Sequence, residues 1–389
     1  MENKIMITIP QPERFRAPTF DDYLRGLNSF DQLKTYDATG CVTRMVNVEA
    51  VRGKFDLSAF KLVLNNFLTA TEKLRADDIH THYHSFKIPK KSGGLRQINA
   101  PDDELKFALQ MLVNILSNVM PRTYHTNAYA YVTGRCTYDA VAKHQRWESN
   151  WFGHFDFRKF FDSTTKEFLM SQMAKQYPFA LIKEDVETWT KLSQALDLCF
   201  LDGGLPQGTP ASPLLTNIMM IPFDYEVTQD IKSMPNRKCP NGTDRFIYTR
   251  YADDIHISCR VEFDIKEQER YLIKKLREQN APFTINAEKT HYGNRSGQNW
   301  MLGYVLNASN AISIGHQNKK HIKAMIHTYA MDKRNQIMWD KDDLMTMLGK
   351  IQYWRFSEKE LVDYTLERLS QKYGFDVLEE IKTDMGNAA

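Results

Sequence analysis

The segment from Tyr248 to Cys259, YTRYADDIHISC, places two adjacent aspartates, Asp253 and Asp254, between two runs that favour β-strands. The strand-forming positions on either side of the pair are Phe246, Tyr248, Tyr251, Ile255, Ile257 and Cys259. This alternation predicts two half-buried strands joined by a tight connection at residues 252–254. Aspartate pairs are common in hairpin turns, so the segment alone leaves a plain turn and a functional site equally open.

Composition restricts the class of protein. The chain has 389 residues, of which 42% are hydrophobic, 25% charged and 12% aromatic, a globular profile with room for two or three domain-sized units. No run of about 18 apolar residues occurs, and the first 18 residues lack the apolar core of a signal peptide, so we expect no membrane span and a cytoplasmic location. The net charge is only +3, so any basic nucleic-acid surface must be local. Five scattered cysteines argue against a disulfide framework or a zinc site.

A third carboxylate occurs in the segment WFGHFDFRKFFDS, where Asp156 interrupts an aromatic-rich strand pattern. A buried aspartate costs several kcal/mol unless it is paired or binds a cation. If this strand lies beside the strands that flank Asp253 and Asp254, three carboxylates converge on one edge of a sheet. Mg²⁺ ions bound by a few carboxylates and by substrate phosphates relieve such repulsion, and two ions ~3.5–4 Å apart can support in-line phosphoryl transfer. The acids therefore predict a substrate that carries phosphates.

Other segments supply elements around these acids. YHSFKIPKKSGGLRQINAP predicts a basic hairpin, and the segment from Asp102 predicts an amphipathic helix with Leu105, Leu109, Leu112 and Leu116 inward. A Gly/Pro-rich loop, GGLPQGTPASP, leads into a helix that Pro222 is expected to end or kink. Two further helices are predicted near the N-terminus, in FDDYLRGLNSF and DLSAFKLVLNNFLTATEKL. Near the C-terminus, one helix is predicted to place Ile322, Met325, Ile326 and Tyr329 on its inward face. Its other side carries Lys319, Lys320, Lys323 and His327, a basic stripe that could also be an ordinary solvated face.

Six of these segments, taken in order, resemble the successive motifs of reverse transcriptases between residues 85 and 307. They are IPKKSGGLRQI, FDFRKFFDS, LPQGTPASPLLTNI, YADDIHIS, INAEKT and WMLGYVLN. The resemblance implies an α+β right-hand polymerase fold with an antiparallel palm sheet. It implies an N-terminal helical extension at residues 1–75, fingers at 76–150, a palm at 151–308 that includes part of the fingers, and a helical thumb at 309–389.

The resemblance also implies the roles of individual residues. Two Mg²⁺ ions would be held by the carboxylates of Asp156, Asp253 and Asp254, with the backbone of Phe157 beside them. The incoming dNTP would be contacted by Lys90, Lys91, Arg96, Phe161, Gln207 and Lys289. The cations of the hairpin would clamp the triphosphate, and Trp300 to Tyr304 would support the primer end. The basic stripe would lie on the thumb, against the phosphates of the template and primer.

Three of these roles have structural alternatives. Phe161 would crowd a ribose 2′-hydroxyl and so favour deoxynucleotides, although it could also be a plain core residue. Lys289 would give a proton to the leaving pyrophosphate, or would pair with a neighbouring acid. The hairpin cations could simply be solvated.

The motifs predict the reaction and leave the biological setting open. A compact enzyme of the antiphage-defence type, copying a non-coding RNA template into DNA, is the expectation that we develop. Retron enzymes are similarly short but typically carry Val-Thr-Gly where this chain reads Met301-Leu302-Gly303. A retron or group II intron-type enzyme, and template-independent or protein-primed DNA synthesis, are the alternatives, with an RNA polymerase or a non-catalytic binding module as less favoured ones. Primer identity and oligomeric state are not specified by the sequence.

Overall fold

The computed structural model describes residues 32–36, 42–47, 55–89, 93–120, 122–234, 236, 245–297 and 301–387. The chain divides into two compact units. The first consists of Met1–Thr133, Phe157–Gln229 and Arg270–Ile285, and the second of Gly134–Asp156, Asp230–Glu269 and Asn286–Ala389. The division falls between Asp156 and Phe157, which are consecutive residues of one strand.

Fourteen α-helices occur in the described residues. They are α1 (Leu57–Ala70), α2 (Glu72–Ala76), α3 (Asp103–Val119), α4 (Thr137–Arg146), α5 (Phe160–Ser163), α6 (Lys166–Met173), α7 (Phe179–Ile182), α8 (Val186–Leu196), α9 (Ala211–Ser233), α10 (Ile265–Glu278), α11 (His316–Arg334), α12 (Lys341–Ser357), α13 (Lys359–Tyr373) and α14 (Val377–Asn387). Short 3₁₀ turns lie at Ile79–His82, Asp197–Cys199 and Ala287–Lys289.

Eleven strands lie in the same ranges, and every pairing between them is antiparallel. They are β1 (Gln32–Tyr36), β2 (Val42–Asn47), β3 (Tyr83–Pro89), β4 (Leu95–Pro101), β5 (Trp151–Arg158), β6 (Ile247–Tyr251), β7 (Asp254–Cys259), β8 (Thr284–Ile285), β9 (His291–Asn294), β10 (Val305–Leu306) and β11 (Ile312–Ser313). Helices combined with antiparallel sheets confirm the predicted α+β class.

In the first unit, several predicted elements are confirmed. The helix predicted after Asp102 is α3, whose N-cap carboxylate accepts a hydrogen bond from the Leu105 amide at 2.8 Å. The four leucines expected to point inward on this helix are all buried. Strands β3 and β4 form the predicted hairpin, with Ile88 opposite Arg96. The helix predicted in FDDYLRGLNSF lies outside the described residues.

Pro222 was predicted to end or kink its helix, and it does not end it, because α9 continues through it to Ser233. Proline has no N–H, so it cannot donate to the carbonyl of residue 218 one turn earlier. The buried side chain of Gln176 takes over this role and donates from Nε2 to the Ile218 oxygen at 2.9 Å. The carbonyl that the proline would leave without a partner is therefore satisfied by another element of the same unit.

In the second unit, the sheet is built on β5. Residues 151–156 of β5 pair with β7, and residues 151–154 pair with β9 on the other edge, while β6 pairs with β7. Gly153 allows helix α10 to approach the sheet, since a Cβ at this position would lie 2.5 Å from Cδ1 of Ile265.

The C-terminal helices of the second unit have their own apolar core. Helices α11 to α14 pack around Trp354, which is fully buried, and the predicted inward face of α11 is confirmed by buried Ile322, Ile326 and Tyr329. The same cluster includes Phe152 of β5, so these helices and the sheet share one core. Within the described residues, no helix has the length and hydrophobicity needed to cross a membrane.

Candidate active site

The aspartate pair lies at the tip of the hairpin formed by β6 and β7, as predicted. Ala252 has a φ of +55°, a left-handed conformation that is unfavourable for a residue with a Cβ. The fully buried Arg250 donates from Nη1 to the Ala252 oxygen at 3.0 Å, which stabilises this tight turn. Strand β6 ends at Tyr251, before the turn, and strand β7 begins after it at Asp254.

The third predicted carboxylate lies directly opposite the pair. The register of β5 against β7 places Asp156 opposite Asp254, and β6 places Tyr251 opposite Asp254 on the other side. Side chains of directly opposed residues have Cβ atoms about 4.5–5.5 Å apart. Asp156 is only 5% exposed, so the strand carries a buried carboxylate that faces a second one.

Three cationic or polar groups compensate these carboxylates. Lys289, from the 3₁₀ turn after β8, places Nζ 2.9 Å from Oδ1 of Asp156. Asn286 approaches the other oxygen of Asp156 from Nδ2 at 3.4 Å, and its backbone amide donates to the Asp156 carbonyl at 2.8 Å. Asp254 accepts a hydrogen bond from Nε2 of His154 at 2.8 Å. The ion pair that we left as an alternative for Lys289 is therefore present, and it raises the pKa of Lys289.

Asp253 carries the clearest sign of crowded negative charge. Burial, together with the neighbouring charges of Asp254 and Asp156, raises the pKa of its carboxyl to about 6. A carboxylate held near two others in this way is a group that a divalent cation would stabilise.

A row of histidines lies two residues along the strands from the carboxylates. His154 is opposite His256 on β7 and opposite His291 on β9, with ring centroids 4.7 and 6.0 Å away and nearly parallel rings. Asp156 and His154 are two residues apart, so they point to the same face of the sheet. The stacked rings fix the imidazole that donates to Asp254.

Below this row, a buried polar network connects the sheet to α4. His144 bonds to Ser258 Oγ at 2.5 Å and to Thr249 Oγ1 at 2.8 Å, and Ser258 donates to Ser149 Oγ at 2.7 Å. Burial lowers the pKa of His144 to about 3, so its ring is neutral at physiological pH. The side chains of His144, Ser258, Thr249 and Ser149 therefore satisfy one another by hydrogen bonds, and His144 adds no positive charge to this face.

The first unit brings together three other predicted residues. The Phe161 carbonyl accepts from the Leu205 amide at 3.0 Å, and Gln207 donates to Asp162 Oδ1 at 3.3 Å. The Gln207 carbonyl accepts from the Asn99 amide of β4 at 2.8 Å, three residues after Arg96. The LPQG loop thus lies between α5 and the predicted basic hairpin.

Two glycines make this close packing possible. A Cβ at Gly204 would lie 2.3 Å from the Asp162 carbonyl oxygen, and Gly208 has a φ of +116° and approaches Asn99. Both glycines therefore let the backbone of this loop come close to neighbouring protein groups.

The remaining predicted residues have separate outcomes. Phe157 is buried in β5 opposite Ile285 and packs against Phe160 and Phe283, so its proposed role as a backbone ligand stays a prediction. Phe161 is partly exposed, with its ring edge-to-face against Tyr131 at 6.5 Å. Lys90, Lys91 and Trp300 lie outside the described residues.

The carboxylates of Asp156, Asp253 and Asp254 are suitable ligands for a divalent cation. Within the described ranges, no group of three His, Cys, Asp or Glu side chains is positioned to hold an ion. Lys289 contacts one oxygen of Asp156, and His154 contacts one oxygen of Asp254. Hard oxygen donors, crowded and partly protonated at Asp253, are nevertheless the ligand type that Mg²⁺ prefers.

Three residues near the carboxylates were missed by sequence reasoning. His154 and Asn286 contact two of the aspartates, and Arg250 supports the turn between them. The sequence held one usable signal, since His154 stands two residues before Asp156 and therefore on the same face of a strand. Its partner could be found only from the register of β5 and β7.

The raised pKa of Asp253 predicts a pH-dependent stability. The folded protein holds a proton on this carboxyl up to about pH 6, against an ordinary value of 3.8, so the stability from this group is complete below pH 3.8 and is lost as the pH rises through 6. Asp253→Asn cannot ionise. In metal-free buffer with a chelator, the variant should therefore gain stability relative to the wild type between pH 4 and 7, by at most about 3 kcal/mol.

Urea unfolding followed by circular dichroism at several pH values measures this difference. Asp342→Asn, at an exposed position of α12 in the same unit, is the control and should show a difference that does not change with pH. A flat profile for Asp253→Asn as well would contradict the assigned environment of this carboxyl.

Comparison with known proteins places this geometry in a family. Residues 88–306, more than half of the chain, match the family described as reverse transcriptase (RNA-dependent DNA polymerase). The Retron Ec83 reverse transcriptase of Escherichia coli is 27% identical over 313 residues, which cover 78% of this chain and 90% of that protein. The Retron Ec73 reverse transcriptase of Escherichia coli is 28% identical over 216 residues, or 54% of this chain and 64% of that protein.

Among solved structures, an apo telomerase from Candida tropicalis, truncated from its C-terminal domain, aligns with a TM-score of 0.42 and 14% identity, over 72% of this chain and 63% of the other. A similarity of this size adds nothing to the family match. The match spans the segments that contain Asp156, the LPQG loop and the aspartate pair. The chain belongs to the reverse transcriptase family, with its α+β right-hand polymerase fold, and is an RNA-directed DNA polymerase.

Proposed function

We propose that this reverse transcriptase adds dNTPs to a primer by two-metal phosphoryl transfer, with an RNA template that is a non-coding RNA, as part of antiphage defence. The observation that carries the chemical part is the placement of Asp156 opposite Asp254, beside an Asp253 whose pKa is raised to about 6. Two Mg²⁺ ions at these carboxylates would stabilise the attacking and the leaving oxygen of the transfer. Phe157, the neighbour of Asp156 in β5, would contribute its backbone oxygen.

The chain's own residues would prepare the substrate. Arg96 lies on the exposed arm of the hairpin, where its guanidinium can contact a triphosphate with several donors. Phe161 and Gln207 lie on the two sides of the contact between α5 and the LPQG loop. We propose that Phe161 excludes a ribose 2′-hydroxyl and that Gln207 contacts the nascent base pair. Lys90 and Lys91 remain proposed partners of the triphosphate.

Lys289 has two successive roles in this proposal. Paired with Asp156 at 2.9 Å, it keeps its proton and neutralises a buried carboxylate. Once cations take over Asp156, the ammonium would be free to donate a proton to the leaving pyrophosphate. His154 would hold Asp254 in one orientation through the same change.

The similarity to retron enzymes supports an RNA template supplied with the protein. The relatives from Escherichia coli are named retron reverse transcriptases, and one of them aligns over nine-tenths of its length. A retron-type enzyme is therefore the second candidate for the biological setting. The defence role and the cytoplasmic location stay predictions.

Removal of both hairpin carboxylates tests the catalytic assignment. Asp253→Asn combined with Asp254→Asn should reduce Mg²⁺-dependent incorporation of dNTPs on a primed RNA to background, because the remaining Asp156 cannot hold the ions alone. Incorporation of radiolabelled dNTP measures the effect, with Asp342→Asn as the control. Activity retained by the double variant would refute the site.

The sugar selectivity of the enzyme should depend on Phe161. Phe161→Ala removes the ring from the proposed sugar position and should raise incorporation of rNTPs relative to dNTPs by about tenfold or more, an effect of the size expected when a steric contact is lost. Single-nucleotide extension with each substrate measures the ratio. Phe107→Ala, at an exposed position on α3 of the same unit, is the matched control and should leave the ratio unchanged. An unchanged ratio for Phe161→Ala would make Phe161 a packing residue.

The template can be identified directly. Protein purified from its native operon should carry a discrete small RNA, and cDNA sequenced during phage challenge should match that RNA. If bound RNA is found and the cDNA appears without phage, a retron-type setting is favoured. Preparations that contain neither bound RNA nor templated cDNA would rule out the defence proposal.

A further inference from the structure

A groove lies between helices α11 and α13 of the second unit, which follow the carboxylates in the chain. It encloses about 720 Å³, within the range of ~300–1,000 Å³ that is usual for ligand sites. We call it the α11–α13 groove, and its walls carry Lys323 and His327 from α11 and Tyr364, Arg368 and Lys372 from α13. No aspartate or glutamate lines it.

The cations of this groove contact aromatic rings and no carboxylates. Arg368 lies 5.8 Å from the ring centroid of Tyr364, Lys372 lies 5.2 Å from that of Tyr373, and Lys323 lies 5.6 Å from that of Trp354. Lys372 also donates to Nε2 of His327 at 3.0 Å. Among the described residues, none of these three cations forms an ion pair with an acid.

The predicted basic stripe on α11 is thereby divided in two. Lys319, its first member, is paired with Glu358 at 2.6 Å, and Lys333, further along the same helix, is paired with Asp384 at 2.5 Å. Lys323 and His327 instead face the groove, where α13 adds two further cations that the sequence reading did not identify. Lys320 is exposed and lies outside the lining of the groove, whereas Lys323, Arg368 and Lys372 bring positive charge without acidic partners together between two helices.

Tyr364 determines which anion fits. Its side chain is 57% exposed although it lies beside an unpaired arginine, so an aromatic face and a guanidinium are both accessible in the groove. Unpaired nucleotides offer a base to stack on such a ring and phosphates for the cations. A duplex presents its phosphates outward but keeps its base faces inside the stack, where Tyr364 cannot reach them.

We propose that the α11–α13 groove binds an unpaired segment of nucleic acid, with a base against Tyr364 and phosphates against Lys323, Arg368 and Lys372. This inference rests on the proposed function and specifies its nucleic-acid partner further. The segment could belong to the RNA partner or to the DNA product, which share the chemistry that the groove recognises. Either would be bound by helices α11 and α13, whereas the three carboxylates lie on β5 and on the hairpin of β6 and β7.

The test measures binding of the full-length protein to a short fluorescent oligoribonucleotide without secondary structure, its DNA counterpart, and a blunt duplex of the same sequence. Loss of one stacked base corresponds to about tenfold or more in affinity. Tyr364→Ala should therefore weaken binding of an unpaired strand by at least that factor and leave duplex binding unchanged. Tyr364→Phe keeps the ring and should bind like the wild type, which separates stacking from any effect on folding.

The charge contribution has its own readout. Single-strand binding loses about 0.7 in the slope of log K against log salt for each phosphate contact removed. Arg368→Gln with Lys372→Gln should therefore reduce the slope by about 1.4. Lys382→Gln, on α14 and paired with Glu379 outside the groove, is the control and should leave the slope unchanged.

The outcomes separate this proposal from the proposed function. Tighter binding of the RNA oligomer assigns the groove to the RNA partner, and tighter binding of the DNA oligomer assigns it to the product. Unchanged affinity of Tyr364→Ala, or equal loss for the duplex and the unpaired strand, would overturn the proposal. Primer extension by the wild-type protein is measured on the same preparation, and its absence would overturn the proposed function while leaving the binding result intact.

Discussion

The register between β5 and β7 determines the candidate site, because it places Asp156 directly opposite Asp254. A shift of one residue in β5 would turn Asp156 to the other face of the sheet, beside the buried Ile255 and Ile257 of β7, where its charge would have no partner. The energetic problem of two facing carboxylates is met locally, by Lys289 on one and His154 on the other. Among the described residues, no side-chain hydrogen bond or ion pair of this kind is seen for Asp253, and burial together with the charges of Asp254 and Asp156 raises the pKa of its carboxyl.

The opposed carboxylates depend on what lies behind them. The row of His256, His154 and His291 holds the imidazole that contacts Asp254, and the network of His144, Ser258 and Thr249 satisfies the polar groups further down the same face. On the adjoining hairpin, Arg250 holds the carbonyl of a left-handed alanine. The site is thus built on strands and on a braced turn, which keeps the carboxylates in place before any cation binds.

Pattern reasoning predicted much of the fold, because the relevant signals are local. Alternation predicted β6, β7 and β5, a capping aspartate predicted the start of α3, and helical spacing predicted the buried face of α11. It did not show that the helix continues through Pro222, where Gln176 from a distant segment satisfies the carbonyl that proline leaves open. A contact between residues 42 positions apart in sequence has no local signal.

The sequence by itself determined the reaction, since ordered motifs identify the family and three acidic positions that suit divalent cations. It also predicted Phe161, Gln207 and Arg96 as substrate contacts, and in the first unit the LPQG loop bonds to α5 and to strand β4. Only the tertiary structure decided that Lys289 pairs with Asp156, that His154 holds Asp254, and that unpaired cations of α11 and α13 face a common groove. Each of these depends on residues brought together by strand register or helix packing, and these relations follow from burial of the whole core and not from any one segment.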